Sequence, residues 1–160
     1  MKSVILEKGE QSFTHMGKLF QGIGNEQIKY NWLITDCKCY PQNRKFAKLF
    51  SKEFVWLSGQ QLTEIIYKED FQFDWGVFSG FSKEISIEEI LKYELPFAEG
   101  NGGLWLNNVR IQHPLAKNEI VAWDSSLTLF LSDNDELVDK FIFSFPKSQS
   151  LTERNKIFNF

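Results

Sequence analysis

Ser58, Ser86 and Asp133 each close a short apolar run, and each has a Gln or Glu three residues on, at Gln61, Glu89 and Glu136. An apolar stripe at helical spacing follows each of them. A side-chain oxygen at the first position accepts from the orphan backbone N–H groups of a starting helix, and the residue three on reaches back to the cap. Helices are therefore expected to begin at these points, with strands before them. That alternation restricts the chain to a mixed α/β, or α+β, fold.

Ser3 to Glu7 reads as a first strand, and Phe13, Met16, Leu19, Phe20 and Ile23 make a helical stripe that Gly22 and Gly24 end. Ile28, Tyr30, Trp32 and Ile34 recur at a period of two, which predicts a half-buried strand ending near Asp36. Residues 37 to 51 pass through Tyr40-Pro41-Gln42-Asn43 and are expected to form a loop with one helical turn. Phe54 to Leu57 is a short strand feeding Ser58, and Leu62, Ile65 and Ile66 are the buried stripe of a helix to Lys68. Phe73 to Phe81 is predicted as a strand with Phe73, Trp75, Val77 and Phe81 on one face. Gly76 and Gly80, on the other face, mark a bulge or a close approach.

Ser86 starts a helix through Ile90 and Leu91 that must stop before Pro96. An irregular stretch with Gly100-Asn101-Gly102-Gly103 follows, and the apolar pieces around Asn107-Asn108 predict a small hairpin. Glu119 to Trp123 and Leu127 to Leu131 read as antiparallel strands, since Asp124-Ser125-Ser126 is too short for a crossover. From Asp133, Leu137, Val138, Phe141, Ile142 and Phe145 form a broad stripe that Pro146 stops. The expected architecture is one compact domain over residues 1 to 146, with a mixed, partly antiparallel sheet packed by about four helices. Residues 147 to 160 are expected to be a tail with one helical turn.

A chain of 160 residues buries roughly two-thirds of its unfolded surface without needing staples. Aromatic residues make up 16 % of it, with 16 Phe and 5 Trp, so the core is expected to be ring-rich, with some rings left for contact. The net charge is -3, which argues against a nucleic-acid binder, because phosphate contacts need clustered cations. Charge is nevertheless uneven. Lys38, Arg44, Lys45, Lys48 and Lys52 lie in a stretch with no acid, whereas Glu119, Asp124, Asp133, Asp135, Glu136 and Asp139 dominate 119 to 139. These blocks either pair with each other or face different partners. No apolar run approaches the roughly 18 residues of a membrane span, and Val4 to Leu6 is too short for a signal-peptide core. A cytoplasmic protein with no membrane association is expected.

The residues that could carry chemistry are few. Cys37 and Cys39, one residue apart, suit neither a usual disulfide nor a C-x-x-C redox pair and read as reduced thiols. Together with His15 and His113 they are too dispersed for a metal site, so neither metal nor cofactor is expected. Gly100 to Gly103 lacks dinucleotide-binding spacing and reads as a turn. Ser125 or Ser126, His113 and Asp124 can be drawn as a nucleophilic triad, but no G-x-S-x-G elbow presents the serine, and hairpin chemistry explains Asp124 and Ser125 more simply. Asp36, Asp74 and Asp124 sit in or at the ends of apolar strands, where ligands of open α/β sheets gather.

Tyr30-Asn31-Trp32-Leu33-Ile34, Cys39-Tyr40-Pro41, Trp56-Leu57-Ser58-Gly59, Ile111-Gln112-His113-Pro114-Leu115 and Ala122-Trp123-Asp124-Ser125-Ser126 together resemble an uncharacterised family of small cytoplasmic proteins from Firmicute-type bacteria. The likeness covers roughly residues 28 to 145 and implies a bacterial source and a single domain, with no activity to carry over. In size, acidity and aromatic content the chain is also similar to immunity proteins that neutralise secreted bacterial toxins.

The leading expectation is a non-enzymatic binding protein that captures a protein partner with a basic surface, such as a toxin domain. Trp105, Asp135 and Asp139 are its expected acidic and aromatic contact surface. The rival is a small-molecule site or hydrolase at the strand ends, lined by Asp36, Asp74, Trp75, His113 and Asp124. It requires those side chains to converge.

Overall fold

The computed structural model describes residues 1–158. A single seven-stranded sheet, ordered β3-β2-β4-β5-β6-β1-β7, organises the chain, and every neighbouring pair in it is antiparallel. The strands are β1 (Lys2–Leu6), β2 (Asn31–Cys39), β3 (Phe54–Ser58), β4 (Phe73–Phe81), β5 (Asn118–Trp123), β6 (Leu127–Ser132) and β7 (Gln149–Ser150). The helices are α1 (Met16–Gly22), α2 (Arg44–Phe50), α3 (Gly59–Lys68), α4 (Ile87–Ile90), α5 (Asp135–Ser144) and α6 (Leu151–Phe158). The fold is α+β. Where the sequence leaves room for parallel pairing, the sheet has none among the described residues.

Strand alternation sends residues to two differently covered faces. The inner face carries Val4, Leu6, Trp32, Ile34, Phe78, Ile120 and Phe130, and on it pack Phe20 of α1, Phe50 of α2, Leu62 and Ile66 of α3, and Leu137, Val138 and Phe141 of α5. The outer face carries Ile5, Leu33, Val77, Phe81, Val121 and Leu129 and is covered by the irregular segment between β4 and β5 together with Leu151 of α6.

Local signals placed most helix starts. Ser58 and Gln61 form the full reciprocal cap of α3, and Ser86 accepts from the Glu89 N–H at 3.3 Å. At α5 the cap is Asn134, not Asp133: its side chain accepts from the N–H groups of Glu136 and Leu137. Asn and Asp cap equally well, so tertiary position chose between neighbours. Residues 26–29 form a 3-10 turn rather than the start of β2, and within the stretch expected to be a loop with one helical turn, residues 44–50 form the two-turn α2 behind an Asn43 cap.

β4 departs from strict alternation. Asp36 takes a left-handed backbone conformation (φ 52), and the register of β2 against β4 shifts between Thr35 and Lys38 and again before Cys39. Beyond this bulge Phe73 joins Phe78 on the inner face, while Trp75, Val77 and Phe81 face outward. Gly80 lies under the Trp32 ring, where a Cβ would come within 3.0 Å of its carbons, whereas Gly76 has ordinary room. The hairpin expected at Asn107-Asn108 is replaced by a 3-10 turn at Gly102–Trp105 and irregular chain. The segment after Pro146 contributes β7 and α6, with Leu151 and Asn155 buried.

Candidate functional site

The strand-end residues are each engaged separately. Asp36, turned outward by the bulge, accepts the N–H groups of Ala98 and Glu99 on one carboxylate oxygen, both at 2.9 Å. Asp74 accepts the Ser125 hydroxyl at 2.7 Å, and its carbonyl accepts the Ser125 N–H at 2.9 Å. Asp124 and Ser125 both have positive φ (48 and 59), and the Ser126 N–H donates to the Trp123 carbonyl at 3.0 Å, so these residues build a left-handed hairpin turn. Asp74 thereby pins the β5–β6 hairpin from the neighbouring strand, and Asp124 is exposed at its tip.

His113 lies elsewhere, under α4, and is 1 % exposed. Its Nε2 donates to the Ile90 carbonyl at 2.9 Å and its Nδ1 accepts from the Leu115 N–H at 3.1 Å. Its ring packs edge-on against Phe81 at 4.9 Å and Tyr93 at 5.1 Å. Both nitrogens are committed, so the imidazole has no free lone pair or proton for a substrate. The triad drawn from Ser125, His113 and Asp124 is not assembled: the serine bonds Asp74 and the histidine bonds α4.

A different serine–histidine contact exists. The Ser12 hydroxyl is hydrogen-bonded to His15 Nδ1. Asp70 accepts the Gly17 N–H at 3.2 Å, and burial pushes its carboxyl up while the Gly17 bond and the charge of His15 pull it down. These groups hold the start of α1: a Cβ at Gly17 would lie 2.5 Å from Asp70 Oδ2. Burial pushes Cys37 well above its ordinary range and Cys39 up to about 12, so neither supplies a thiolate near neutrality. Among the described residues no group of three or more His, Cys, Asp or Glu side chains could hold a metal ion.

Trp75 and Trp105 do come together, through a residue the sequence reading treated only as part of a strand. Trp123 stands between them, with ring centroids 4.8 Å from Trp75 and 4.9 Å from Trp105, both edge-on. Arg154, paired with Glu7 at 2.9 Å, lies 5.3 Å over the Trp105 ring. The three indoles are half-buried against one another, closing the end of the outer face.

Asp135 and Asp139 are on the opposite face of the sheet from Trp105, exposed on α5. The aromatic residue beside them is Phe143, which is 90 % exposed although Phe141 and Phe145, two residues either side, are buried. Its position outside the Leu137, Val138 and Phe141 stripe was the available signal. Glu136, Asp139 and Phe143, one or two turns apart, line an open hollow of about 580 Å³ floored by Gly22 and Gly24. Asp139 accepts Lys2 at 2.9 Å, and Lys140 is paired with Glu26 at 3.1 Å. The basic block does not reach these acids: α2 packs against β2 and β3, α5 against β1 and β6, at opposite ends of the sheet.

In the sequence Glu119 stands out only as a strand start and one acid among those of 119 to 139. It is fully buried on the outer face, accepting the Gln112 N–H at 2.8 Å and the Gln112 side-chain amide at 3.3 Å. Burial raises its carboxyl to about 7, partly offset by the two Gln112 bonds. Gln112 in turn accepts from Phe97 N–H and the Asn101 amide, both at 3.0 Å. No helix among the described residues is long and apolar enough to cross a membrane. No protein-family model, curated protein or solved structure matches this chain.

Proposed function

We propose that this chain is a non-enzymatic binding protein that captures a protein partner with a basic surface through the solvent face of α5. The observation that carries this reading is Phe143, a large apolar ring 90 % exposed beside a hollow that Glu136 and Asp139 also line. Burying such a ring in a partner's socket is worth kilocalories per mole, and aromatic anchors of this kind dominate interface energetics. The surrounding carboxylates add orientation and speed of encounter toward a cationic surface. The Gly22 and Gly24 hollow beside the ring gives the partner a matching recess to fill.

The test is affinity capture with wild-type protein and with Phe143→Asp and Asp135→Lys/Glu136→Lys variants, whose substitutions lie on the exposed surface. The captured protein is identified, purified and rebound. Binding weakened at least about tenfold by Phe143→Asp, with a slower association rate for the charge variant, supports the reading. Undiminished binding by both variants overturns it.

A further inference from the structure

The sheet has two ends, and only one of them is blunted. At one end β7 is two residues long and covers part of β1. At the other end β3 runs five residues, Phe54–Ser58, bonded to β2 on one side alone. The Gly59 N–H donates to the Tyr30 carbonyl at 2.8 Å, which fixes the alternation. Leu57 and Val55 exchange bonds with Trp32 and Ile34, and the N–H and C=O groups of Phe54 and Trp56 point away from the sheet. No described residue bonds those four groups. The next outward N–H, that of Ser58, is taken by the Gln61 side chain at 2.9 Å, so the open stretch is bounded.

Apolar recesses lie on both sides of this edge. One, of about 310 Å³, is lined by Phe46, Leu57, Ile65 and Lys68. The other, of about 340 Å³, is lined by Leu49, Phe54, Trp56 and Lys52. A strand added to β3 would direct one set of its alternate side chains toward the Phe54 and Trp56 recess and the other toward the α2 side, where Lys68 lines the recess. The charge around them is net cationic: Arg44, Lys45 and Lys48 on α2, Lys52 in the turn before β3 and Lys68 at the end of α3 outnumber Glu53, Glu64 and Glu69, the last of which accepts the N–H groups of Gln42 and Asn43 ahead of α2. None of these cations joins an ion pair among the described residues.

We infer that the outer edge of β3 accepts an extended segment of an acidic partner by strand addition, with apolar side chains at alternate positions and carboxylates facing α2. The same cations select against self-pairing, because a β3-to-β3 contact between two copies would bring two basic α2 helices together. This site is independent of the α5 surface, at the opposite end of the sheet, and either can fail without the other.

The probe is a synthetic seven-residue peptide alternating Glu with Val or Ile, titrated into the full chain while amide exchange and backbone chemical shifts are followed. Phe54 and Trp56 amides are expected to exchange fast in the free protein and to become protected on binding. Methylating alternate peptide nitrogens, which removes the donors without altering charge, should weaken binding at least about tenfold. Lys48→Glu/Lys52→Glu should weaken it similarly, with a steeper dependence on salt in the wild type. Four results would overturn the inference: no binding, binding without protection at Phe54 and Trp56, binding indifferent to N-methylation, or protection that grows with protein concentration in the absence of peptide.

Discussion

The two faces of the sheet are covered by different means. On the inner face, helices satisfy their own backbone groups, so the sheet offers them only apolar surface, and Trp32 meets Phe20 while Phe130 meets Phe141. On the outer face the cover between β4 and β5 is mostly irregular chain, whose peptide groups lack a ladder of their own. The sheet and α6 supply partners instead. Thr35 donates to the Pro96 carbonyl at 2.7 Å, Asp36 takes the Ala98 and Glu99 N–H groups, Glu119 takes Gln112, and Asn155 donates to the Leu104 and Leu106 carbonyls at 3.1 and 2.9 Å. Buried polar side chains here do structural work that helices do for themselves on the other side. Residues that look catalytic by type are the fasteners of an irregular cover.

That contrast predicts lesions of different size and kind. Phe78→Ala opens the inner core at the centre of the sheet and is expected to lower global stability by about 3–5 kcal/mol, read as a shifted midpoint in denaturant unfolding with unchanged slope. Equal loss of the outer cover and the core from such a lesion is expected, because the inner face carries the cooperative unit.

Glu119 gives the next effect, and it depends on pH. Its carboxyl sits at about 7 in the folded chain against an ordinary 4.5, so the folded state holds the neutral form after the unfolded chain has ionised. Its contribution is full below about 4.5 and is lost as the pH rises to about 7, a change of about 3 kcal/mol. The gap in stability between wild type and Glu119→Gln, followed by thermal melts across that range, should shift in favour of the variant as the pH rises. A gap that stays constant would show that Glu119 is not the titrating fastener.

Asn155→Ala leaves two carbonyls of the outer cover without their donor and is expected to cost about 1–3 kcal/mol. Asp36→Ala is expected to cost about 1–2 kcal/mol, since its carboxylate is only half-buried. For both, hydrogen exchange should quicken first in residues 96–112 while β1 and β6 remain protected, the reverse of the Phe78→Ala pattern. The smallest effect belongs to Lys38→Ala. It removes an exposed ion pair with Glu99 at the margin of the outer cover, and the melting midpoint should not move measurably.

Legibility in the sequence follows the same division. Phe73–Phe81 was readable to the residue, as was the α3 start, because a period of two and a Ser-x-x-Gln cap are signals between near neighbours. The placement of Phe73 on the inner face was not, because it depends on the register shift of β4 against Lys38 and Cys39 of the adjacent strand. The candidate site shows the same limit. Asp74 and Ser125 meet across 51 positions and Asp36 meets Ala98 across 62, and no local pattern links such pairs. Trp123 as the centre of the indole trio needed the register of β4 with β5, and Phe143 needed the angle at which α5 lies on the sheet.

By itself the sequence determined the kinds of element, most of their order and the antiparallel hairpin at Asp124, because each depends on bonds and packing within a few residues. The tertiary structure alone decided which face each side chain serves, that the segment after Pro146 closes the outer face, and that the cations of α2 and the acids of α5 lie at opposite ends of one sheet. Those outcomes depend on the pairing of distant strands, and a change of one residue in register reverses the face on which every following side chain stands.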